Sequence, residues 1–247
     1  MDTSPFFLNG TADRIAKELK QELNAHSLEC PEAFRDGTSA MGNAIEGLVG
    51  RKLKGLLSEC SAASYSVGTT HKALGDIVFR DADQFLISVD VKSQCVTRKF
   101  QKPNLISAER LKNYLMQDGE QRHFSLLLVR YAVQEGILRV YDVLFHPISW
   151  VPWKDLAIEN QGKGVMQLRS GARYELRQAQ DRDEWIVALH HQQLNFYLKL
   201  AEIARQRAEN MRREIEQLGP RLSTMSGREV CTTPRMEQPS FLPAELS

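Results

Sequence analysis

Two aspartates and one lysine stand close together within residues 75–93, which read GDIVFRDADQFLISVDVKS. Asp76 is near the start of this stretch, and Asp90 and Lys92 are near its end. Carboxylate oxygens are the hard ligands that Mg²⁺ prefers, and the main-chain carbonyl of Val91 is a further oxygen donor. Bound Mg²⁺ activates water and neutralises charge on phosphate, while a lysine can orient or deprotonate that water and stabilise the transition state. These residue types therefore suit hydrolysis of a phosphodiester.

The same stretch predicts two antiparallel strands joined by a tight turn, and this hairpin would bring the three side chains together. Side chains alternate between faces along a strand, so Asp90 and Lys92 share one face of the second strand. The polar turn at residues 80–83 would fold Asp76 back level with the end of that strand. We expect the opposite face to pack against a core through alternating apolar side chains, namely Phe85, Ile87, Val89 and Val91.

A helix is predicted before the hairpin, over residues 41–58, from an apolar stripe at helical spacing. Glu46 lies at the border of that stripe. A carboxylate at a helix edge is ordinarily only solvated, and an Asp-x-Lys pair on a strand is ordinarily a surface ion pair. The pattern D-x13-D-x-K is therefore weak by itself. It gains weight from the alternating strand, the preceding helix and the basic loop that follows.

The loop after the second strand carries a local excess of positive charge in a chain whose formal net charge is +1. Residues 92–112 contain one acidic residue and six basic residues, which are Lys92, Arg98, Lys99, Lys102, Arg110 and Lys112. A second polar and basic loop spans residues 160–164 and contains Asn160 and Lys163. Both loops could contact nucleic-acid phosphates, although most loops of this composition are only solvated.

Helices and strands are interleaved in the rest of the sequence, which predicts one mixed α/β domain over residues 1–218. Residues 62–72 are interpreted as an irregular lead-in to the first hairpin. The other predicted elements are helices over 11–24, 105–116 and 183–218, a second hairpin of the central sheet over 124–131 and 137–145, and a short hairpin over 165–177. The charges of the last helix nearly cancel, as in a surface helix with ion pairs. Residues 219–247 lack periodicity and predict a disordered tail.

The sequence shows no signal-peptide pattern, no apolar run long enough for a membrane span and no cysteine spacing typical of a disulfide framework. The N-terminal MDTSPFFLNG has no basic start followed by an apolar run, and no apolar run approaches the roughly 18 residues of a membrane span. We therefore expect a cytoplasmic protein with reduced thiols. No zinc-ligand spacing relates the four cysteines, which are Cys30, Cys60, Cys95 and Cys231.

The motif GD(x13)DVK resembles the signature of the PD-(D/E)XK nucleases, with Gly75 where that family has a proline. Asp76, Asp90 and Lys92 occupy the motif positions. Over most of residues 35–215, further segments resemble the HincII-like type II restriction endonucleases in the same order: GNAIEGLVGRKLKGLL, PNLISAERL, GVMQLRS and WIVALHHQQLNFYLKLAEIARQRAENM.

The resemblance implies a restriction-endonuclease-like fold, in which helices flank a central mixed β-sheet. It also implies a homodimer that binds duplex DNA and uses Mg²⁺ to cut both strands of a short, nearly palindromic site, leaving blunt ends. Asp76 and Asp90 would be metal ligands and Lys92 the catalytic lysine. Glu46 would be the family's helix carboxylate, and Ser93 would be a hydroxyl residue close to the phosphate.

For recognition of DNA, the resemblance places Gln101 at the position of a glutamine that wedges into the base stack. Asn104 stands where an asparagine reaches base edges, and an amide offers both a donor and an acceptor to the grooves. Arg98, Lys99 and Lys102 make this loop more basic than the family pattern. The target sequence is therefore not set by the resemblance.

Two other functions stay open from the sequence. A nuclease of the same fold could act on damaged or branched DNA without reading bases, and it would give a smear instead of discrete fragments. A DNA-binding protein without catalysis would also explain the basic loop. Such a protein need not retain two aspartates and the lysine together, and this sequence has all three.

Overall fold

The computed structural model describes residues 3–25, 39–59, 64–67, 74–97, 102–117, 121–159, 164–169, 174–176 and 181–226. The helices are α1 (Pro5–Leu8), α2 (Thr11–Ala25), α3 (Ser39–Glu59), α4 (Ala108–Leu115) and α5 (Arg182–Ser226). The strands are β1 (Ser64–Val67), β2 (Ile77–Arg80), β3 (Leu86–Cys95), β4 (Asn104–Ser107), β5 (Arg122–Gln134), β6 (Ile137–Pro147), β7 (Leu156–Glu159) and β8 (Val165–Leu168). The chain divides into two compact units, Met1–Tyr197 and Leu198–Ser247.

The central sheet of the first unit is mixed, with the strand order β1-β2-β3-β5-β6. β3 and β5 are parallel, whereas the other neighbouring strands are antiparallel. Parallel neighbours need a crossover connection, and α4 lies in the segment that joins β3 to β5. A smaller antiparallel sheet has the order β4-β8-β7. The predicted mixed α/β class, with a mixed central sheet flanked by helices, is confirmed.

Both faces of the central sheet are buried, by two separate apolar clusters. One cluster joins α1, α2 and α3 to side chains of β2, β3 and β5, among them Val89 and Leu127. The other joins α4, the small sheet and the first turns of α5 to the opposite face of β5, where Leu126 and Leu128 lie. A strand covered on both sides reads as a continuous apolar run, which explains the FSLLLV sequence of β5.

The predicted hairpin forms, with β2 and β3 antiparallel. Asp81 shapes its turn, because its Oδ1 accepts hydrogen bonds from the main-chain N–H groups of Asp83 at 3.0 Å and Phe85 at 2.9 Å. The other carboxylate oxygen accepts a hydrogen bond from the hydroxyl of Ser4, just before α1. The carboxylate of Asp81 therefore holds the turn of the hairpin and joins it to the N-terminal segment.

Four predictions of local structure differ from the observed elements. Residues 64–67 form β1 where an irregular segment was expected, and Asn104–Ser107 form β4 where the predicted helix 105–116 began. β8 pairs with β4 and β7 and not with residues 174–176, which are irregular. α5 continues to Ser226, past the predicted end at residue 218. β4 and β8 pair with each other although they are distant in the chain, so periodicity within either segment does not reveal this pairing. Residues 227–247 of the predicted tail lie outside the described residues.

Helices that could cross a membrane are absent from the part of the chain that the structure describes. α5 is long enough, but its charged residues make it too polar.

Candidate active site

Asp90 and Lys92 project from β3 and form an ion pair, with 2.8 Å between the lysine Nζ and the aspartate Oδ1. They share one face because they are two residues apart on an extended strand. The second apolar cluster covers this face of the sheet, so Asp90 is 7% exposed. The pair is therefore largely removed from water, unlike a surface ion pair.

Asp76 is held against β3 by the residues on either side of Asp90. Its main-chain N–H donates to the carbonyl oxygen of Val89 at 2.8 Å. Its side-chain Oδ2 accepts from the main-chain N–H of Val91 at 2.8 Å. Two hydrogen bonds thus fix the backbone and the side chain of Asp76 beside Asp90, while Asp76 itself stays exposed. The structure brings together the two aspartates and the lysine that the sequence predicts.

Gly75 allows the segment that carries Asp76 to approach the main chain of β3 closely. A Cβ atom at this position would lie 2.5 Å from the carbonyl oxygen of Val89 and 2.9 Å from its carbonyl carbon. Proline also carries a Cβ, so in this backbone the residue typical of the PD-(D/E)XK family would meet the same atoms. The glycine is the residue that this packing of the chain against β3 requires.

Glu46 of α3 belongs to the same electrostatic group. Burial is the main cause that raises the pKa of Glu46, the neighbouring Lys92 opposes this effect, and Asp76 adds to it. Glu46 and Asp76 also act on the pKa of Asp90 and of Lys92. Glu46 therefore lies near the ion pair and is not merely a solvated residue at a helix edge.

The pKa of Asp90 is raised to about 7, mainly by burial and further by the charges of Asp76 and Glu46, although Lys92 opposes the shift. For Lys92, burial lowers the pKa, but the carboxylate of Asp90 outweighs burial and the net shift is upward. The second carboxylate oxygen of Asp90, Oδ2, is buried and has no hydrogen-bond partner among the described residues. Such an atom is costly to leave unpaired. A cation beside it would satisfy it.

The donor set fits a hard cation that keeps part of its water. Within the described residues, no group of three or more Asp, Glu, His or Cys side chains is arranged to hold a metal ion. Asp76 and Asp90 offer two carboxylates, so main-chain oxygens or water would have to complete the ligands of a bound cation. The N–H of Val91 points to Asp76, and the carbonyl of an extended residue points to the same side as its N–H. Mg²⁺, which binds one or two carboxylates and retains waters, suits these donors.

Ser93 lies away from Asp90 and Lys92, because the alternation of the strand turns it to the face that α3 covers. It is 7% exposed, and its Oγ is 3.1 Å from the position that a Cβ on Gly42 would occupy. Ser93 therefore packs against α3, and its expected place near a phosphate stays a prediction.

Three polar residues that the sequence did not single out extend the face of Asp90 and Lys92. Gln94 is the next residue of β3 on this face and is 9% exposed. Its Oε1 accepts a hydrogen bond from the hydroxyl of Tyr174 at 3.2 Å. The guanidinium of Arg130, paired with Gln94 in register, lies 5.7 Å from the centre of the Tyr174 ring. Strand alternation could have found Gln94, but no local pattern links it to Tyr174.

Of the residues predicted to bind DNA, Lys102 and Asn104 are described, and both lie at the small sheet. Lys102 Nζ is 3.3 Å from Glu159 Oε2, so its charge is partly offset. Asn104 Oδ1 accepts a hydrogen bond from Gln167 Nε2 at 2.5 Å, which gives an exposed pair of amides on β4 and β8. Gln167 is a polar partner that the sequence did not reveal. The other predicted contacts lie outside the described residues: Arg98, Lys99, Gln101, Asn160 and Lys163.

Comparison with known proteins gives matches among solved structures but none by sequence. No protein-family profile matches the sequence, and no curated protein matches it. Among solved structures, the chain matches the NlaIV restriction endonuclease with a TM-score of 0.41 and 13% sequence identity. The match covers 63% of this chain and 65% of that enzyme, so it spans less than two thirds of the enzyme's length. The resemblance to HincII-like enzymes stays a prediction.

Proposed function

We propose that this protein is a Mg²⁺-dependent type II restriction endonuclease that cuts duplex DNA at a short, nearly palindromic sequence and leaves blunt ends. The observation that supports this proposal most directly is the arrangement around Asp90. Asp76 is hydrogen-bonded to the residues before and after Asp90, Lys92 forms an ion pair with Asp90, and one buried carboxylate oxygen of Asp90 has no hydrogen-bond partner among the described residues. Surface ion pairs do not combine these three features.

In this proposal Asp76, Asp90 and the carbonyl of Val91 would hold Mg²⁺. When bound, the ion supplies Lewis acidity and lowers the pKa of water. Because the ion takes up the charge of the carboxylates, the cost of burying ionised Asp90 falls. Asp90 Oδ2, which has no hydrogen-bond partner among the described residues, would then be available as a ligand.

Lys92 is the catalytic residue that acts directly on the reacting groups. Its ammonium, held at 2.8 Å from Asp90, can donate to the nucleophilic water and to a phosphate oxygen on which charge develops. Glu46 is a positioning residue, because its negative charge acts on Lys92 and Asp90 from α3. It helps to keep Lys92 in the cationic form that a phosphate requires.

The DNA substrate would lie across the site of Asp76, Asp90 and Lys92 and across the exposed amides of the small sheet. Asn104 and Gln167 offer donors and acceptors to base edges, and Lys102 offers charge to the backbone. Gln101 and the basic residues Arg98, Lys99 and Lys163 would add further contacts, together with Asn160. A homodimer would place two such sites on the two strands of a palindrome.

Digestion of a sequenced bacterial-phage genome tests the proposal. With Mg²⁺, the wild type should give discrete fragments with common blunt ends, and with EDTA it should give none. Lys92→Ala and Asp90→Asn should each lower the cleavage rate by about 100-fold or more. Matched controls on exposed residues, Lys199→Ala and Asp83→Asn, should cut at the wild-type rate.

The outcomes separate the alternatives. A smear, or cutting only at nicks and junctions, would favour a structure-specific nuclease of the same fold. Tight binding of duplex DNA with no cutting under any metal condition would favour a non-catalytic DNA-binding protein. Cleavage by Lys92→Ala at the wild-type rate would refute the proposed site.

A further inference from the structure

The second half of α5 carries an exposed apolar seam, which we call the α5 seam. Its members recur at alternating spacings of three and four residues and are Ala201, Ala204, Ala208, Met211, Ile215 and Leu218. The three large side chains are 64%, 67% and 51% exposed in that order, and the alanines are exposed as well. Within the described residues of the unit Leu198–Ser247, the seam therefore faces water.

This spacing is the signature of a helix that packs against another helix. Alternation of three and four residues averages 3.5, the repeat of a left-handed coiled coil, with one stripe facing the partner throughout. The ion pairs predicted for a surface helix are present, but they lie beside the seam and within one helix. Arg205 contacts Glu202 at 2.9 Å and Glu209 at 3.7 Å. These ion pairs lie on the polar sides of the helix next to the seam and do not cover its apolar side chains.

We propose that the α5 seam binds the α5 seam of a second copy of this chain, with the two helices antiparallel. In this orientation each large side chain faces an alanine. Leu218 meets Ala201 of the partner subunit, Ile215 meets Ala204 of the partner subunit, and Met211 meets Ala208 of the partner subunit. The helix spacing is then uniform over a seam of about 26 Å, at about 1.5 Å per residue. Uniform spacing allows close packing along the whole contact.

A parallel pair of seams would pack less evenly. It would stack three layers of alanine at one end and three layers of large side chains at the other, so the helices would have to diverge. The charged residues beside the seam also favour the antiparallel orientation. Antiparallel helices bring Arg207 near Glu214 of the partner subunit, whereas parallel helices bring Arg207 near Arg212 of the partner subunit.

The α5 seam would be the contact surface of the homodimer, which rests on the dimeric form in the proposed function but not on the proposed chemistry. Self-association can therefore be measured without DNA and in EDTA. A chain that dimerises through the seam but does not cut DNA would refute only the nuclease. A chain that cuts DNA but ignores changes in the seam would refute only the seam.

Sedimentation equilibrium of the full-length protein over a range of concentrations is the test. Met211→Glu combined with Ile215→Glu places charge in the seam and should raise the dissociation constant by about tenfold or more. Both side chains are exposed, so folding should be kept, and the far-ultraviolet circular dichroism checks this. The matched control is Asn210→Glu with Gln217→Glu, which adds the same charge to exposed positions beside the seam and should leave the dissociation constant unchanged.

Charge reversal tests the orientation. Arg207→Glu alone and Glu214→Arg alone should each weaken the dimer, and the double variant should restore it. Stronger association of Arg207→Glu would overturn the antiparallel arrangement, because it is the result expected for parallel helices. A wild type that stays monomeric at all concentrations, or a dimer unaffected by Met211→Glu with Ile215→Glu, would overturn the seam itself.

Discussion

Replacing Gly75 by alanine should disrupt the candidate site through a single added methyl group. The new Cβ would lie 2.5, 2.9 and 3.0 Å from the carbonyl oxygen, carbonyl carbon and nitrogen of Val89. These atoms belong to the backbone of β3 in the middle of the central sheet, so they cannot rotate away. The segment that carries Asp76 has to move instead.

The cost can be worked out from the contacts that this movement would break. Overpacking a tight site costs about 1–3 kcal/mol. The hydrogen bond from Asp76 N–H to Val89 would weaken, and so would the one from Val91 N–H to the carboxylate of Asp76. With these added, we expect the free energy of unfolding to fall by about 2–4 kcal/mol.

Urea unfolding followed by circular dichroism measures this change, and cleavage of plasmid DNA with Mg²⁺ measures its effect on the site. The melting temperature should fall by roughly 5–15 °C for a chain of this size. Gly55→Ala is the matched control, since Gly55 lies exposed in α3 and its Cβ would meet no atom within 4 Å. That change should raise the free energy of unfolding by about 0.5–1 kcal/mol through helix propensity.

Equal behaviour of Gly75→Ala and Gly55→Ala would refute the reasoning, because the approach of residue 75 to β3 would then be loose. Gly75→Pro is a second check. It introduces the residue typical of the PD-(D/E)XK family but also a Cβ, so we expect it to destabilise the protein and not to improve it.

The other predictions concern buried polar groups. Because the pKa of Asp90 is raised to about 7, the free energy of unfolding of the wild type in EDTA should fall relative to that of Asp90→Asn as pH rises from about 4 to about 7; parallel pH profiles of the two proteins from urea unfolding would contradict this. Burial lowers the pKa of His146 to about 4, so the effect of this residue on stability has the opposite sign. Its contribution to the free energy of unfolding is complete above about pH 6.5 and is lost as pH falls through about 4. Asp90→Asn should therefore lose stability steadily on acidification. Tyr174→Phe should cost about 1 kcal/mol by leaving the buried Gln94 oxygen unpaired, whereas Tyr141→Phe, whose exposed hydroxyl accepts from Gln134, should cost almost nothing by the same measurement.

The hairpin could be predicted because its information is local. Alternation of Ile87, Val89 and Val91 fixes one buried face of β3, and the polar turn fixes the return of Asp76. The mixed fold class followed from the interleaved helices and strands. The relation of Asp90 and Lys92 followed from their two-residue spacing, which the ion pair at 2.8 Å matches.

The burial of Asp90 could not be predicted, because the elements that cover its face are distant in the chain. α4, the small sheet and the start of α5 supply the second apolar cluster, and none of them is visible in the pattern of β3. The pairing of Asn104 with Gln167 has the same origin, since it joins two strands 63 residues apart. The place of Ser93 was open to strand alternation but not to motif matching, which treats neighbouring positions alike.

The parallel pairing of β3 with β5 also has a kinetic consequence. The β2–β3 hairpin is local and can form early, but the pairing of β3 with β5 requires the chain to close a long loop first, and such contacts form slowly. Until β5 and the second apolar cluster are in place, Asp90 is solvated and Lys92 is free to move. We therefore expect the candidate site to assemble only in the last stage of folding, so that a nascent or partly folded chain carries the acidic residues without the arrangement that the proposed cleavage requires.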